Sequence, residues 1–477
     1  MAVSSSPNTF DNLNGLFKDT YADNLENLLP KGLVVQQDLK WADKSKMPGN
    51  RFHQPVLLGH EHGFTYAGGA ATGKNNTVAS AGAFEISGAV PGRTTDATIF
   101  GTQMLLRSQI DYESAARASS GGKRAFRRTL DIVVENMFQS SRKRMEIDYL
   151  YGNVGLAQIA TSTVVATTTN QWTITILAAN WAAGFWAGME NAVVQVFDND
   201  GAAGDPGGLL GPDTFRQNYI VQSVDLNQSG TSYTIVLRNA VSGNTTAPVA
   251  SDFIFFEAQG SAPMGALSGG GGAYANRVFD GLVKCMSRTE GDELFDIPIT
   301  GNSLWAPNQK AAGGSLTYEL ITDAIAEIVA KGLDEDLKLY VCPKVWADLV
   351  QQEDKYSTSG GVAAENVKAG GIASKVIYSA GTGDRTIGSS GISFVTQAGT
   401  ITVTPSNYVK EEHGICIAPR LWKRVGATDL TFRLPDRGDE FFLHLTEKAG
   451  YELRAYVNHA LFTKAPAKSL LLTGLTS

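Results

Sequence analysis

The sequence predicts an α+β fold built from unlike segments in series. Three observations predict it. One long run of 3.6-residue apolar periodicity begins at Ala125, residues 156–262 turn to short alternating strands, and residues 305–417 mix helix and strand patterns. The 477 residues are 43% hydrophobic and 18% charged, which excludes disorder over most of the chain. With 40 Lys and Arg against 47 Asp and Glu, the net charge of -7 has the wrong sign for binding nucleic acid along the whole surface. No apolar run reaches the ~18 residues of a membrane span. The N-terminus lacks the basic-then-apolar pattern of a secretory leader, so none is expected. Cys285, Cys342 and Cys416 are few and widely spaced, and read as reduced thiols. The 51 glycines exceed the ~7% of an ordinary protein and foretell many turns and close backbone passes.

Residues 1–50 read as an arm. The stretches 25–32 and 33–37 are short and interrupted by Pro30 and Gly32, so the arm has no core of its own and is expected to lie on a neighbour. Residues 51–100 read as a long extended loop: 55–58 and 63–66 lead out, the glycine-rich 68–76 makes a tip, and 78–86 leads back. Its apolar residues are too few for a local core, so contacts made elsewhere should hold it. From Ala125 to Tyr151 the pattern is helical. Phe126, Leu130, Val133, Val134, Met137 and Met145 lie on or near one face; Arg127, Arg128, Asp131, Glu135, Arg142, Lys143 and Glu146 lie mostly off it; Gly152 is the stop. A shorter helical piece is expected over 111–118.

Residues 156–262 carry strand patterns at 172–176, 193–197, 219–224, 233–237 and 253–256, with a turn at 227–230. They read as a self-contained β-rich insert. A glycine run at 269–272 follows as a loop. Further on, Ser315 is expected to cap a helix over 316–331, with Leu320, Ile321, Ala324, Ile325, Ile328 and Val329 inward and Gly332 at its end. Residues 339–341 read as a buried strand, and Pro343 opens a second helix carrying Val345, Trp346, Leu349 and Val350. Strands are expected at 429–434, 440–445 and 450–456, and the last stretch is too apolar for a free tail.

No catalytic constellation emerges. Gly68 to Lys74 has phosphate-loop spacing, but Asn75 replaces the magnesium-holding hydroxyl and no helix follows. Gly270 to Ala275 fits a dinucleotide motif by letter, without the strand that must precede it. His60 and His62 share a face of extended chain with no third ligand in view, so exposed loop residues are the simpler reading. His413, His444 and His459 sit singly among apolar strands and read as satisfied core groups. Asp198 to Gly201 reads as a turn, its glycine being misplaced for a calcium loop. Arg142, Lys143 and Arg144 read as a solvated helix face. The expectation is no enzyme, no cofactor and no metal.

The order of segments resembles the major capsid protein of tailed bacteriophages. The most specific matches are 341–349, similar to that family's strand-to-helix step in the axial domain; 418–426 followed by 429–435, similar to its re-entry into the peripheral sheet; and 448–454 to 460–462, similar to its closing strands. The resemblance implies an N-terminal arm (1–50), an extended loop (51–100), a spine helix with the start of the peripheral domain (101–155), an inserted β domain (156–262), the continued peripheral domain (263–304), an axial domain (305–417) and peripheral return strands (418–477). It implies a structural protein that self-assembles into hexamers and pentamers of an icosahedral head around double-stranded DNA, held by weak non-specific contact. The family's scaffold segment is not evident before the loop, so a separate scaffolding protein is expected. A portal protein at one vertex and a decoration protein are further implied partners; a membrane is not. The subunit-contact residues implied are Leu28 and Leu33 of the arm and Phe64, Tyr66, Lys74, Val78 and Phe84 of the loop. Lys74 is the only lysine in 51–100 and thus the sole donor there for an isopeptide cross-link, but its glycine-rich surroundings favour non-covalent contact. The rivals are an encapsulin-type compartment shell of the same fold and, less well matched, a tail or baseplate β protein.

Overall fold

The structure, a computed structural model, describes residues 33–42, 51–65, 86–113, 123–165, 170–198, 214–226, 232–240, 247–257, 259, 277–358, 377–378, 392–397, 399–433, 442–444 and 449–476. Helix α1 (Val35–Asp38) and strand β1 (Lys40–Trp41) come first. The hairpin of β2 (Arg51–Gly59) and β3 (Arg93–Phe100) follows, then β4 (Thr102–Asp111) and helix α2 (Lys123–Leu150). At 28 residues, α2 is about 42 Å long. Asp111, expected to open a helical piece, is the last residue of β4.

Residues 157–256 close on themselves. Strands β5 (Ala157–Val164) and β6 (Gln171–Leu177), the single turn α3 (Ala183–Trp186), and β7 (Val193–Asp198), β8 (Thr214–Val224), β9 (Ser232–Asn239) and β10 (Phe253–Phe256) make an antiparallel barrel in the order β10-β5-β6-β9-β8-β7. Closure removes the exposed edges that a sheet this small would otherwise offer. The wall alternates: Trp172, Ile174 and Ile176 of β6 and Tyr233, Ile235 and Leu237 of β9 are buried, with partly exposed residues between them. Strand β5 has no sequence forecast because its small and hydroxyl side chains blur the pattern; only Ala157 and Ile159 point into the core.

Helix α4 (Leu282–Met286) and the tight pair β11 (Glu293–Leu294) and β12 (Ile297–Pro298) lead to a second unit. It contains β13 (Asn308–Gly314), α5 (Tyr318–Ala330), β14 (Leu337–Val341), α6 (Pro343–Thr358), β15 (Ile377–Tyr378), β16 (Ile392–Thr396), β17 (Gly399–Pro405) and β18 (Gly414–Ile417). Then come β19 (Trp422–Thr431), β20 (Phe442–His444), β21 (Gly450–Thr463) and β22 (Leu470–Leu475). Two sheets organise these strands. A five-stranded sheet runs β1-β19-β21-β20, with β4 also paired to β21; a seven-stranded sheet runs β13-β22-β18-β14-β17-β16-β15. The second sheet carries its own core of α5 and α6 side chains (Ile321, Ile325, Ile328, Val345, Leu349) on Leu339, Val341, Ile401 and Val403.

Four expectations need correction. Thr317, not Ser315, caps α5: its hydroxyl accepts the Leu320 N–H at 3.1 Å, because the chain stays extended through Thr317. Strand β22, expected with the peripheral return, pairs with β13 and β18 in the seven-stranded sheet, so the expected boundary at 418 does not separate the two sheets. Residues 33–42 do not form a coreless arm. Val35 and Leu39 are fully buried in this chain's own core, and β1 pairs with β19. The base of the 51–100 loop has local support too: Phe52 meets Phe462 at 5.5 Å, and Ala97 and Ile99 are buried.

The end of α2 is set by Gly152, at φ +59°. A Cβ there would stand 2.2 Å from the Phe279 carbonyl oxygen and 2.4 Å from the Gly281 nitrogen, both rigid backbone. Gly152→Ala is therefore expected to destabilise the chain by about 3 kcal/mol or more, through the clash and the left-handed φ together. Urea denaturation of the two proteins checks this.

Candidate intersubunit surfaces

The β2–β3 hairpin is half anchored and half bare. Its inner face (Phe52, Val56, Leu58, Ala97, Ile99) packs on the core, and Thr98 N–H donates to the Phe295 carbonyl at 3.0 Å. Phe295 stacks edge-on against Phe462 at 5.4 Å, so the β11–β12 turn holds the hairpin base from the side. Beyond β2 the two arms stay paired: His62 and Val90 exchange both backbone hydrogen bonds at 2.9 Å, and Ser87 N–H donates to Thr65 Oγ1 at 2.8 Å. Along this length Leu57, Phe64, Ile86 and Val90 are exposed, Phe64 at 74% and Ile86 at 81%. Covering each such side chain would contribute roughly 1.5–3 kcal/mol. Exposed apolar residues along one hairpin make it a candidate contact surface.

Of the seven contact residues implied by the sequence, Phe64 lies on this exposed stretch. Leu33 is half-buried against the chain's own core and so is not a free contact. Leu28, Tyr66, Lys74, Val78 and Phe84 lie outside the described residues, as do the two glycine-rich motifs. His60 and His62 are exposed, and no group of three or more metal-ligating side chains exists among the described residues. No described helix is long and apolar enough to cross a membrane.

A second surface is an open cleft of about 1100 Å³ between α2, β4 and β21, lined by Met104, Leu106, Arg107, Arg144, Asp148 and Arg454 among others. Ser141 Oγ and Asp148 Oδ1 are buried here without a hydrogen-bond partner. Burial pushes the Asp148 carboxyl up to about 6, opposed by Arg144, whose Nε lies 3.4 Å away. The strand β4 beside it pairs only with β21, leaving its other edge without a partner strand among the described residues.

The polar residues of α2 depart most from sequence expectation. Glu146, forecast off the apolar face, is fully buried and accepts backbone N–H groups from Val34 (3.0 Å), Val35 (2.8 Å) and Gln36 (2.7 Å). Burial pushes it up to about 7, against the downward pull of those amides. Of the basic run, Arg142 is exposed as expected, but Lys143 and Arg144 are not on a solvated face. Lys143 Nζ donates to the Ala187 carbonyl at 2.7 Å, and the Arg144 guanidinium lies 3.5 Å from the Phe256 ring centroid. No local pattern reveals these roles, since every partner comes from a distant part of the chain.

His413 and His459 are buried, as expected, and each is met by a tyrosine at or just past the end of α2: Tyr149 to His459 Nδ1 at 3.0 Å, Tyr151 to His413 Nδ1 at 3.3 Å. Burial, helped by Lys410 beside His413 and Arg424 beside His459, drives both down to about 3, so both rings are neutral and each shares a hydrogen bond with its tyrosine hydroxyl. His444 departs from expectation: it is exposed at the sheet end, 3.0 Å from Tyr112 Oη.

No protein-family model matches the chain, and no curated protein is significantly similar in sequence. Solved structures do match over nearly the whole length. A chain of the cyanophage A-1(L) capsid is 9% identical, with 98% of this chain and 100% of that one covered at a TM-score of 0.47. The capsid of a native GTA particle gives 8%, 99% and 100% at 0.43. The holo-SrpI encapsulin complex from Synechococcus elongatus gives 7%, 98% and 96% at 0.39.

The buried histidines set a pH dependence. Their folded values are depressed, so the stability they contribute is present above the unfolded value near 6.5 and lost as pH falls towards 3. At pH 5 the loss for His459 is on the order of 2 kcal/mol. Glu146 and Asp148, both raised, work in the opposite direction, so the comparison must be made between variants. The stability gap between wild type and His459→Asn is expected to narrow by about that amount between pH 7 and pH 5 in paired urea titrations. A constant gap would show that His459 does not titrate as described.

Proposed function

We propose that this chain is a major capsid protein of a tailed bacteriophage, self-assembling into the hexamers and pentamers of an icosahedral head around double-stranded DNA. The observation that carries the reading is the β2–β3 hairpin. It is fixed at its base to its own chain and exposed at Leu57, Phe64, Ile86 and Val90. A monomeric protein gains nothing from such an element, whereas a shell subunit must give much of its surface to neighbours. The net charge of -7 suits a shell whose contents must enter and leave without being held. The role is structural, not catalytic, and its place is the virion. A separate scaffolding protein, a portal at one vertex and a decoration protein complete the proposed partners. The extended loop clamps the next subunit through apolar contacts and hydrogen bonds, with Lys74 left uncross-linked.

Three measurements test this. Electron microscopy of the purified protein should show closed shells containing nucleic acid; shells loaded with a cargo protein and no DNA would favour the compartment reading, and no shells at all would defeat both. The double variant Leu57→Ser/Phe64→Ser, altered only at exposed sites, should keep its unfolding free energy within the ±0.5 kcal/mol typical of surface changes while losing most closed particles. Mature particles boiled in detergent should run as one band near 50.8 kDa. A ladder abolished by Lys74→Ala would show a covalent clamp instead.

A further inference from the structure

Residues 34–42 touch three separate parts of the molecule. At one end, Glu146 of α2 accepts the three backbone N–H groups of Val34, Val35 and Gln36. In the middle, Asp38 accepts the Tyr340 hydroxyl at 2.7 Å and pairs with Lys338, both on β14 of the seven-stranded sheet. At the other end, the Leu39 carbonyl accepts Arg424 Nε at 2.8 Å, and Ala42 N–H donates to the Arg424 carbonyl at 2.8 Å. Lys40 and Trp41 pair in parallel with Lys423 and Arg424 on β19 of the five-stranded sheet. The segment thus bridges the two sheets with α2 behind it. Two short chain crossings also join them, 418–421 between β18 and β19 and 464–469 between β21 and β22.

The bridge is narrow. Only Val35 and Leu39 anchor it by full apolar burial; Val34 and Ala42 pack part-buried on the same core, Arg424 lies 5.3 Å from the Trp41 ring centroid, and the other contacts are polar. Its fastening group is a carboxylate held out of water, which is costly in any arrangement that does not satisfy both oxygens.

We propose that residues 34–42 are a releasable strap between the two sheets, with the Glu146 carboxylate as its catch, and that release lets the sheets pivot about the crossings 418–421 and 464–469. The strap acts within one subunit, so its test does not depend on shell formation. Leu105 on β4 and Val395 on β16 are exposed and belong to different sheets, while Cys285, Cys342 and Cys416 are buried. Spin labels on Leu105→Cys and Val395→Cys in the full chain therefore report the inter-sheet distance by pulsed electron resonance. Hydrogen exchange reports the strap amides. The intact strap should give a narrow distance distribution. Glu146→Ala should speed exchange at 34–36 by about tenfold or more and broaden the distribution. Faster exchange with an unchanged distribution would reduce the strap to a local contact and overturn the proposal; unchanged exchange would overturn the catch. Should Glu146→Ala fail to fold, Asp38→Asn, which leaves α2 intact, must broaden the distribution, and a narrow one there overturns the proposal.

Discussion

The last two turns of α2 are buried on every side, and they carry polar groups as well as apolar ones. Met145, Ile147, Tyr149 and Leu150 alternate with Glu146 and Asp148, all with almost no exposure. A buried carboxylate or phenol without partners costs several kcal/mol. Asp148 is met within the helix, by Arg144 one turn before it. The other partners come from far along the chain: three amides from residues 34–36 for Glu146, His459 of β21 for Tyr149, and the 410–413 loop for Tyr151 just past the helix end. The helix end therefore works as a junction. The first described residues, the closing sheet and the loop before β18 take their positions by satisfying it.

The same logic fixes the barrel. By strand pattern it reads as separable, yet cations fasten it at several points. Lys143 reaches the Ala187 carbonyl, Lys410 reaches the Gly155 carbonyl at 2.9 Å, and Arg144 covers Phe256. Tyr233 on β9 donates to Glu411 at 2.7 Å, and Lys344 pairs with Glu411 at 3.1 Å. Burial pushes Lys143 and Lys410 down to about 8, the consequence of using long charged side chains as internal ties. Aromatic packing continues the join: Trp181 lies flat on Tyr233 at 4.5 Å, and Gly184 leaves room for the Tyr408 ring, which a Cβ would meet at 2.8 Å.

Much of the local structure was legible in the sequence, because apolar periodicity is a local property. Five barrel strands, helices α5 and α6 and the long helix with its Gly152 stop all follow from spacing alone. What escaped depends on distant partners. Glu146 looks like a surface residue until residues 34–36 arrive beside it. Ser315 and Thr317 are equally good caps by composition, and only the path of the chain before α5 selects the second. Strand β22 is apolar in any reading, but nothing within it says which sheet it joins. For the candidate surface, the hairpin and Phe64 were legible as extended, exposed chain. The support beneath them was not, because Phe295 and Phe462 reach it from hundreds of residues away.

Strand β22 also has a consequence in time. It lies between β13 and β18, not at an edge, and its parallel pairing with β13 joins Asn308 to Leu470. A nascent chain that has displayed its hairpin and built its barrel still lacks an interior strand of the seven-stranded sheet. That sheet closes only after residue 475 has left the ribosome, and until then β13 has no neighbour. Contacts this remote in sequence form slowly. Translation itself thus imposes an order: the apolar hairpin is exposed early, and the seven-stranded sheet is completed long after it.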